Sequence, residues 1–291
     1  MKITTTFDVI IVGGGLAGLT SAIHLSTRKK RVLLIEKNEY PKHKVCGEYI
    51  SNEVLPYLNS LGINPINEGA KQITKVHIST TKSNLIKGEL PLGGFGMSRY
   101  FLDNLLVKKA YLNGVQILKD TVDSIHFKKD SFTITTKSSG VFQSNITIGA
   151  YGKRSSLDQK MKRKFIQKKS PYLAVKIHVK GVFPENLVAL HNFKGGYCGV
   201  SKVEDNAINV CYITEYRSFK KHKNITDFQE QVIFKNEHLR KIFKESIPVF
   251  EKPLTISQVS FQTKNPVEDH IIMCGDTAGM IHPLCGNGMG M

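Results

Sequence analysis

No apolar run in the 291-residue sequence approaches the ~20 residues a membrane-crossing helix needs, which argues against a helical span. The N-terminus lacks the charged leader, apolar segment and small-residue site of a signal peptide, so none is expected. Cysteine is sparse. Cys46, Cys198, Cys211, Cys274 and Cys285 are scattered and odd in number, and they match neither a disulfide framework nor a zinc spacing. A reducing, cytoplasmic setting is expected. Acidic residues are few: 24 Asp and Glu against 41 Lys and Arg leave a net charge of +17. Arginine is scarce too, so the surplus is almost all lysine, spread along the chain. With few arginines to read bases and no nucleic-acid motif, a nucleic-acid partner is not expected. Evenly spread lysine reads as solvated surface. Attraction to an anionic membrane surface or a phosphorylated substrate is the weaker alternative. There is no internal repeat and no low-complexity tract.

A composition of 41% hydrophobic and 22% charged residues is that of a soluble globular chain, long enough for one large domain or two ordinary ones. Phe7 to Val12 is a continuous apolar, β-branched run, as in a buried parallel strand. Three glycines, Gly13 to Gly15, interrupt it. Leu16, Leu19 and Ile23 then recur at helical spacing, and Arg31 to Ile35 reads as a second strand ending at Glu36. Further on, 72–97 reads as extended segments with turns, Phe101 to Leu112 as a helix stopped by Gly114, and 115–148 as several strands. Leu173 to Val179 and Ala207 to Ile213 are strand-like around a helical stretch from Asp227 to Phe243. Ile271 to Cys274 is a last strand.

The first unit carries a nucleotide signature. Gly13-x-Gly15-x-x-Gly18 lies between strand and helix, with Glu36 and Lys37 at the end of the next strand. Gly13 permits the tight turn, Gly15 lets backbone approach a pyrophosphate, and Gly18 lets the helix pack closely on the strand. The helix start at Leu16 and Ala17 offers unpaired N–H groups to phosphates, and Glu36 can accept hydrogen bonds from ribose hydroxyls. This unit alone does not separate NAD from FAD.

Four further segments bear on that choice: Pro41-Lys42-His43-Lys44-Val45-Cys46-Gly47-Glu48, Gly96-Met97-Ser98-Arg99, Gly149-Ala150-Tyr151-Gly152, and Cys274-Gly275-Asp276-Thr277-Ala278-Gly279 followed by Pro283-Leu284-Cys285-Gly286-Asn287-Gly288. Together with the first unit they resemble the geranylgeranyl reductase group of the FAD-dependent aromatic-hydroxylase superfamily. The likeness spans nearly the whole chain and is strongest in the FAD motifs. It implies that Lys44 and Cys46 pass beside the flavin ring, with Cys46 a catalytic candidate. The plainer reading of Cys46 is a small buried hydrophobe. It implies that Arg99 contacts the FAD phosphate or ribityl region, though an arginine entering a helix can equally be a surface residue. It implies that Asp276 binds the ribityl hydroxyls, and that Gly286, Asn287 and Gly288 open a helix pointing at the flavin pyrimidine edge. Tyr151 stands where the family has Asp, which puts NAD(P)H as direct electron donor in doubt and leaves a reduced protein carrier open. Gly195-Gly196-Tyr197-Cys198-Gly199 resembles a segment where the substrate domain nears the flavin, making Tyr197 a second catalytic candidate. A half-buried strand tyrosine is the plainer reading.

The expected fold is α/β: a discontinuous Rossmann-type FAD-binding domain (1–71, 98–160 and 261–291) with a smaller antiparallel-sheet substrate domain (72–97 and 161–260). The resemblance implies an FAD-dependent oxidoreductase, reducing C=C bonds of a small lipophilic substrate, with peripheral membrane contact possible. The alternative is a monooxygenase of an aromatic or polyketide substrate. A flavin halogenase fits less well, because that group carries a Trp-rich motif and this chain has no Trp. An inactive fragment is the third reading. The sequence stops at Met291, where the flavin helix would open, and weak FAD retention and low stability are expected from that.

Overall fold

The computed structural model describes residues 6–168, 170–259, 261–282 and 286–290. β1 (Thr6–Val12), α1 (Leu16–Thr27) and β2 (Val32–Glu36) form a βαβ unit, with β1 and β2 parallel from Val9↔Val32 to Val12↔Ile35. The unbroken apolar character of β1 has a simple cause: both of its faces are covered. Val9 and Ile11 pack with Leu19 and Ile23 of α1, while Phe7, Ile10 and Val12 pack on the opposite face with Leu33, Ile35 and Phe132.

The chain continues through β3 (Tyr49–Ser51), α2 (Leu55–Ser60), β4 (Lys71–Ser79) and β5 (Leu85–Gly96). It returns with α3 (Arg99–Leu112), β6 (Gln116–Lys119), β7 (Val122–Lys128), β8 (Ser131–Thr136), β9 (Val141–Gly149) and α4 (Ser156–Lys160). Next come β10 (Tyr172–Lys180), β11 (Leu187–Phe193), β12 (Gly196–Lys202) and β13 (Ile208–Glu215). Three short helices follow, α5 (Tyr216–Phe219), α6 (Ile225–Gln231) and α7 (Glu237–Lys244), and then β14 (Ile247–Pro248), β15 (Leu254–Val259), β16 (Val267–Glu268) and β17 (Ile271–Met273).

Two sheets result. The first runs β16-β17-β9-β1-β2-β6, parallel except for β16, with the β7–β8 hairpin added antiparallel to β9. The second runs β14-β10-β13-β12-β11-β4-β5-β3, with β15 also on β10, and is antiparallel except where β4 meets β11. The fold is thus α/β with a parallel nucleotide-type sheet and a largely antiparallel second sheet. Among the described residues, no helix is long and apolar enough to cross a membrane.

The faces of the second sheet differ. Val175, Val210, Tyr212, Cys198 and Val200 pack against Phe228, Ile233 and Leu239 of the α6–α7 layer. Lys176, His178, Asn209 and Cys211 alternate with them and point to the other face.

The single helical stretch expected from Asp227 to Phe243 is two helices, broken at Val232–Asn236. Asn236 has the reason in its side chain. Its carbonyl caps α7 by accepting from the N–H groups of His238 (3.1 Å) and Leu239 (3.4 Å). Its amide donates to Ser79 Oγ (2.7 Å), Thr80 O (3.1 Å) and Asn192 O (3.0 Å). An N-cap residue has extended backbone and ends any helix before it.

Candidate functional site

The glycine turn is built for close approach. Gly13 has φ +108°, and a Cβ there would collide with the backbone of Ala150 and come within 2.7 Å of Tyr151 Cα. A Cβ on Gly18 would strike the Gly13 carbonyl. At Gly15 the situation is reversed: the nearest atom to an added Cβ is Arg99 Nη2, 3.8 Å away. Gly15 therefore faces open space. α1 begins there with no side-chain cap and no acidic residue in its first turn. Among the described residues no side chain caps its first N–H groups, and these with the dipole end suit an anion. Arg99, 14% exposed, adds a guanidinium beside them, held by Asp103 through Nε–Oδ1 (2.8 Å) and Nη2–Oδ2 (3.0 Å). Burial opposes the Arg99 charge, but the Asp103 carboxylate more than offsets it and raises the pKa. Lys44 reaches the same carboxylate at 2.6 Å.

Glu36 closes the strand end. Its carboxylate accepts from Gly14 N (2.7 Å) and Asn38 N (2.9 Å). Tyr40 donates to Gly14 O (2.6 Å) from a phenol whose pKa burial pushes up. A cleft of about 410 Å³ opens beside Glu36, with Val107, Tyr111 and Ile117 on its walls. An acidic residue at the mouth and apolar groups on the walls suit a ribose and a purine. Lys37 is exposed.

The distant motifs converge here. Gly275 (φ +57°) packs on Ala17, where an added Cβ would lie 2.8 Å from Ala17 Cβ. Thr277 Oγ1 accepts from Gly152 N at 2.7 Å, tying the Gly-Asp turn to the segment that follows β9. Asp276 is half-buried, and its carbonyl accepts from Lys264 Nζ at 2.5 Å. Burial lowers the Lys264 pKa to about 8. The turn at 286–290 lies on the Cys46 loop: a Cβ on Gly286 would touch the Tyr49 ring (3.3 Å), Asn287 Nδ2 donates to Glu53, and Cys46 Sγ lies 3.4 Å from Met289 Sδ.

Under that loop is a buried charge cluster. Glu48 and Lys176 are each fully buried and ion-paired, and His178 Nε2 meets the other Glu48 oxygen at 2.6 Å. Burial opposes the Glu48 charge, yet the His178 hydrogen bond and the Lys176 ammonium hold its pKa below the usual carboxylate value. His43 stacks on Tyr100 with ring centroids 4.5 Å apart. Burial, aided by Lys176 and His178, pushes its pKa down to about 4. Burial also pushes the Cys211 thiol up to about 12, with Cys46 contributing.

The structure brings Gly13, Gly15, Leu16, Ala17, Gly18, Arg99, Lys44, Cys46 and Asp276 into one continuous region. Tyr197 shares the sheet face of Asn209 but lies apart from the loop contact. It pairs with Ile213, four cross-strand pairs beyond Asn209↔Ser201 and roughly 13 Å along the strand. Residues 286–290, where Gly286, Asn287 and Gly288 are expected to open a helix, form a turn closed by Gly290 N to Asn287 O (3.0 Å). Pro283, Leu284 and Cys285 lie outside the described residues, as does Met291. Tyr151, in the expected Asp position, is half-buried against the core, with its hydroxyl 3.5 Å from Met273 Sδ.

Sequence reasoning missed Tyr40, Asp103, Lys176, His178, Asn209 and Lys264. Lys176 and His178 carried a signal: two ionisable residues on one face of an otherwise apolar strand.

The model of the family described as FAD binding domain matches residues 6–291, and the chain belongs to that family. Similar chains include an uncharacterized protein of Methanosarcina barkeri, 31% identical over 150 residues, 50% of this chain and 37% of that one. The digeranylgeranylglycerophospholipid reductase of Methanococcus vannielii is 24% identical, covering 98% of this chain and 74% of the reductase. Digeranylgeranylglycerophospholipid reductase 1 of Methanothermobacter thermautotrophicus is 27% identical over the same shares. Among solved structures, the flavin-dependent brominase Bmp2 superposes with a TM-score of 0.83 at 19% identity, over 98% of this chain and 75% of that one, which supports the fold. The protein is an FAD-dependent oxidoreductase in class. Its glycine cradle, uncapped α1 terminus, Arg99 and Glu36 cleft fit FAD.

Proposed function

We propose that this chain, like the relatives whose names call them reductases of a phospholipid, is a reductase, and that it reduces a C=C bond of a lipophilic substrate. The observation that carries this reading is the placement of the Lys44-Val45-Cys46-Gly47 loop. It lies where the FAD motifs meet the polar face of the second sheet, in contact with Asn209 and Lys176. Whole-chain similarity to two reductases of that name supports it. FAD supplies the two-electron redox chemistry when bound. Gly13, Gly15, Leu16, Ala17, Gly18 and Arg99 hold the pyrophosphate, Glu36 the ribose, and Asp276 the ribityl chain. Gly286, Asn287 and Gly288 border the flavin through the turn on the Cys46 loop. The Cys46 thiol delivers the proton that completes saturation, with Tyr197 as the second candidate donor. The cofactor portion is 1–71, 98–160 and 261–291, and the substrate portion 72–97 and 161–260. The electron donor is a reduced protein carrier or NAD(P)H.

The test is product analysis. FAD-loaded protein, reduced anaerobically with dithionite, is given a polyprenyl lipid, and a parallel sample is given the lipid and O2. A product gaining two hydrogens without O2 supports the reductase reading. A product that forms only with O2 and gains one oxygen atom replaces it with hydroxylation.

A further inference from the structure

Buried ion pairs are poor stabilisers, and apolar residues of similar size often serve as well or better. A fully buried Glu48–Lys176 pair beside the cofactor motifs therefore asks for a role other than stability. Its geometry supplies one. Lys176 Nζ, besides pairing with Glu48, donates to Lys44 O at 3.2 Å. Asn209 Nδ2 donates to both Cys46 O (3.2 Å) and Gly47 O (2.8 Å). Lys176 and Asn209 are on neighbouring strands, β10 and β13, and on the same face. Two side chains of the second sheet thus hold three of the four carbonyls from Lys44 to Gly47.

Glu48 anchors the end of that loop. It has φ 55°, in the left-handed region that side chains rarely adopt, and its own carboxylate contacts hold it there. Glu48 Oε1 also accepts from Arg99 N at 2.7 Å, at the start of α3, and Glu48 O accepts from Met97 N at 3.1 Å. The contacts run from the second sheet, through the Cys46 loop, to the guanidinium beside Gly15.

We infer that Lys176, Asn209 and Glu48 are positioning residues, clamping the Cys46-Gly47 peptide and so fixing the direction of the Cys46 thiol at the cofactor site. The inference rests on the reading of Cys46 as flavin-facing only for its consequence in turnover. The clamp itself is tested on the protein without substrate.

The experiment measures alkylation of Cys46 by iodoacetamide, followed by peptide mass mapping, in the FAD-free and FAD-loaded chain. The variants are Asn209→Ala and the charge-neutral pair Glu48→Gln with Lys176→Met, which removes both charges of the buried pair together. Melting is recorded alongside, and alkylation is run well below each midpoint. The expected result is Cys46 alkylation at least about fivefold faster in both variants, with Cys274 alkylation, measured on the same samples, unchanged. Cys46 rates within about twofold of the parent in both variants overturn the inference, whatever happens to stability, because a merely structural role moves melting and not the local thiol. If the thiol responds but no lipid is reduced, the clamp stands and the reductase reading fails.

Discussion

Gly275 and Ala17, 258 positions apart in sequence, touch so closely that one methyl group added to Gly275 would lie 2.8 Å from the Ala17 methyl. The Gly-Asp turn and the Gly-x-Gly-x-x-Gly turn are thereby one structure. A single extended dinucleotide can be gripped at both ends only if these turns are held in register. Gly275→Ala is expected to destabilise the fold by about 1–2 kcal/mol, since its φ of +57° also disfavours any side chain. Adding Ala17→Gly should recover the part due to the clash but not the backbone part. Urea melts of the two single variants and the double variant would show this, and full additivity would contradict the contact.

Arg99 is expected to matter for the cofactor more than for the fold. Arg99→Met leaves Asp103 with Lys44 as its remaining cation. FAD affinity should fall by about tenfold or more, the loss of a charge-assisted anion contact. Fluorescence titration of the FAD-free variant reads it out. An unchanged dissociation constant would place the pyrophosphate elsewhere.

The α7 cap predicts a stability effect remote from the site. Asn236→Ala removes three amide hydrogen bonds and the helix cap, and should cost about 2–3 kcal/mol. FAD affinity should be unchanged. A denaturation midpoint equal to the parent's would refute the cap.

Acid should weaken the fold through His191. It is buried with Nδ1 2.9 Å from Ser79 Oγ, and burial, aided by His238 and His77, pushes its pKa from 6.5 down to about 4. Between those values the unfolded chain binds the proton and the folded chain does not, so stability rises with pH across that window and is lost as pH falls from 6.5 toward 4. The slope below pH 6.5 should be shallower in His191→Gln, by roughly 1–3 kcal/mol in total over the window. Identical slopes in the two proteins would rule out this histidine as the cause.

The nucleotide half was legible because its signal is local. Gly13, Gly15, Gly18 and Glu36 sit within one βαβ unit, and close backbone packing dictates Gly13 and Gly18. The turn at Asp276 was also legible, through its strand and glycines. What could not be read was pairing across the chain. Lys176 and His178 were visible as charges in an apolar strand, but nothing nearby announces that their partner is Glu48, 128 and 130 positions away. Asn209 looks like any strand asparagine until β13 is placed under the Cys46 loop. The break at Asn236 was hidden because apolar periodicity continues through it. Its cap depends on Ser79 and Asn192, which only folding brings near.

Gly15 offers the most direct measurement. Its Cβ position is open, with nothing nearer than 3.8 Å, so Gly15→Ala should fold with a stability change of no more than about 1 kcal/mol. The same methyl group would project toward the pyrophosphate. Titration of the FAD-free chain with FAD should show normal melting and an affinity reduced at least about tenfold. A Gly15→Ala protein that binds FAD as tightly as the parent would contradict the placement of the cofactor on this turn.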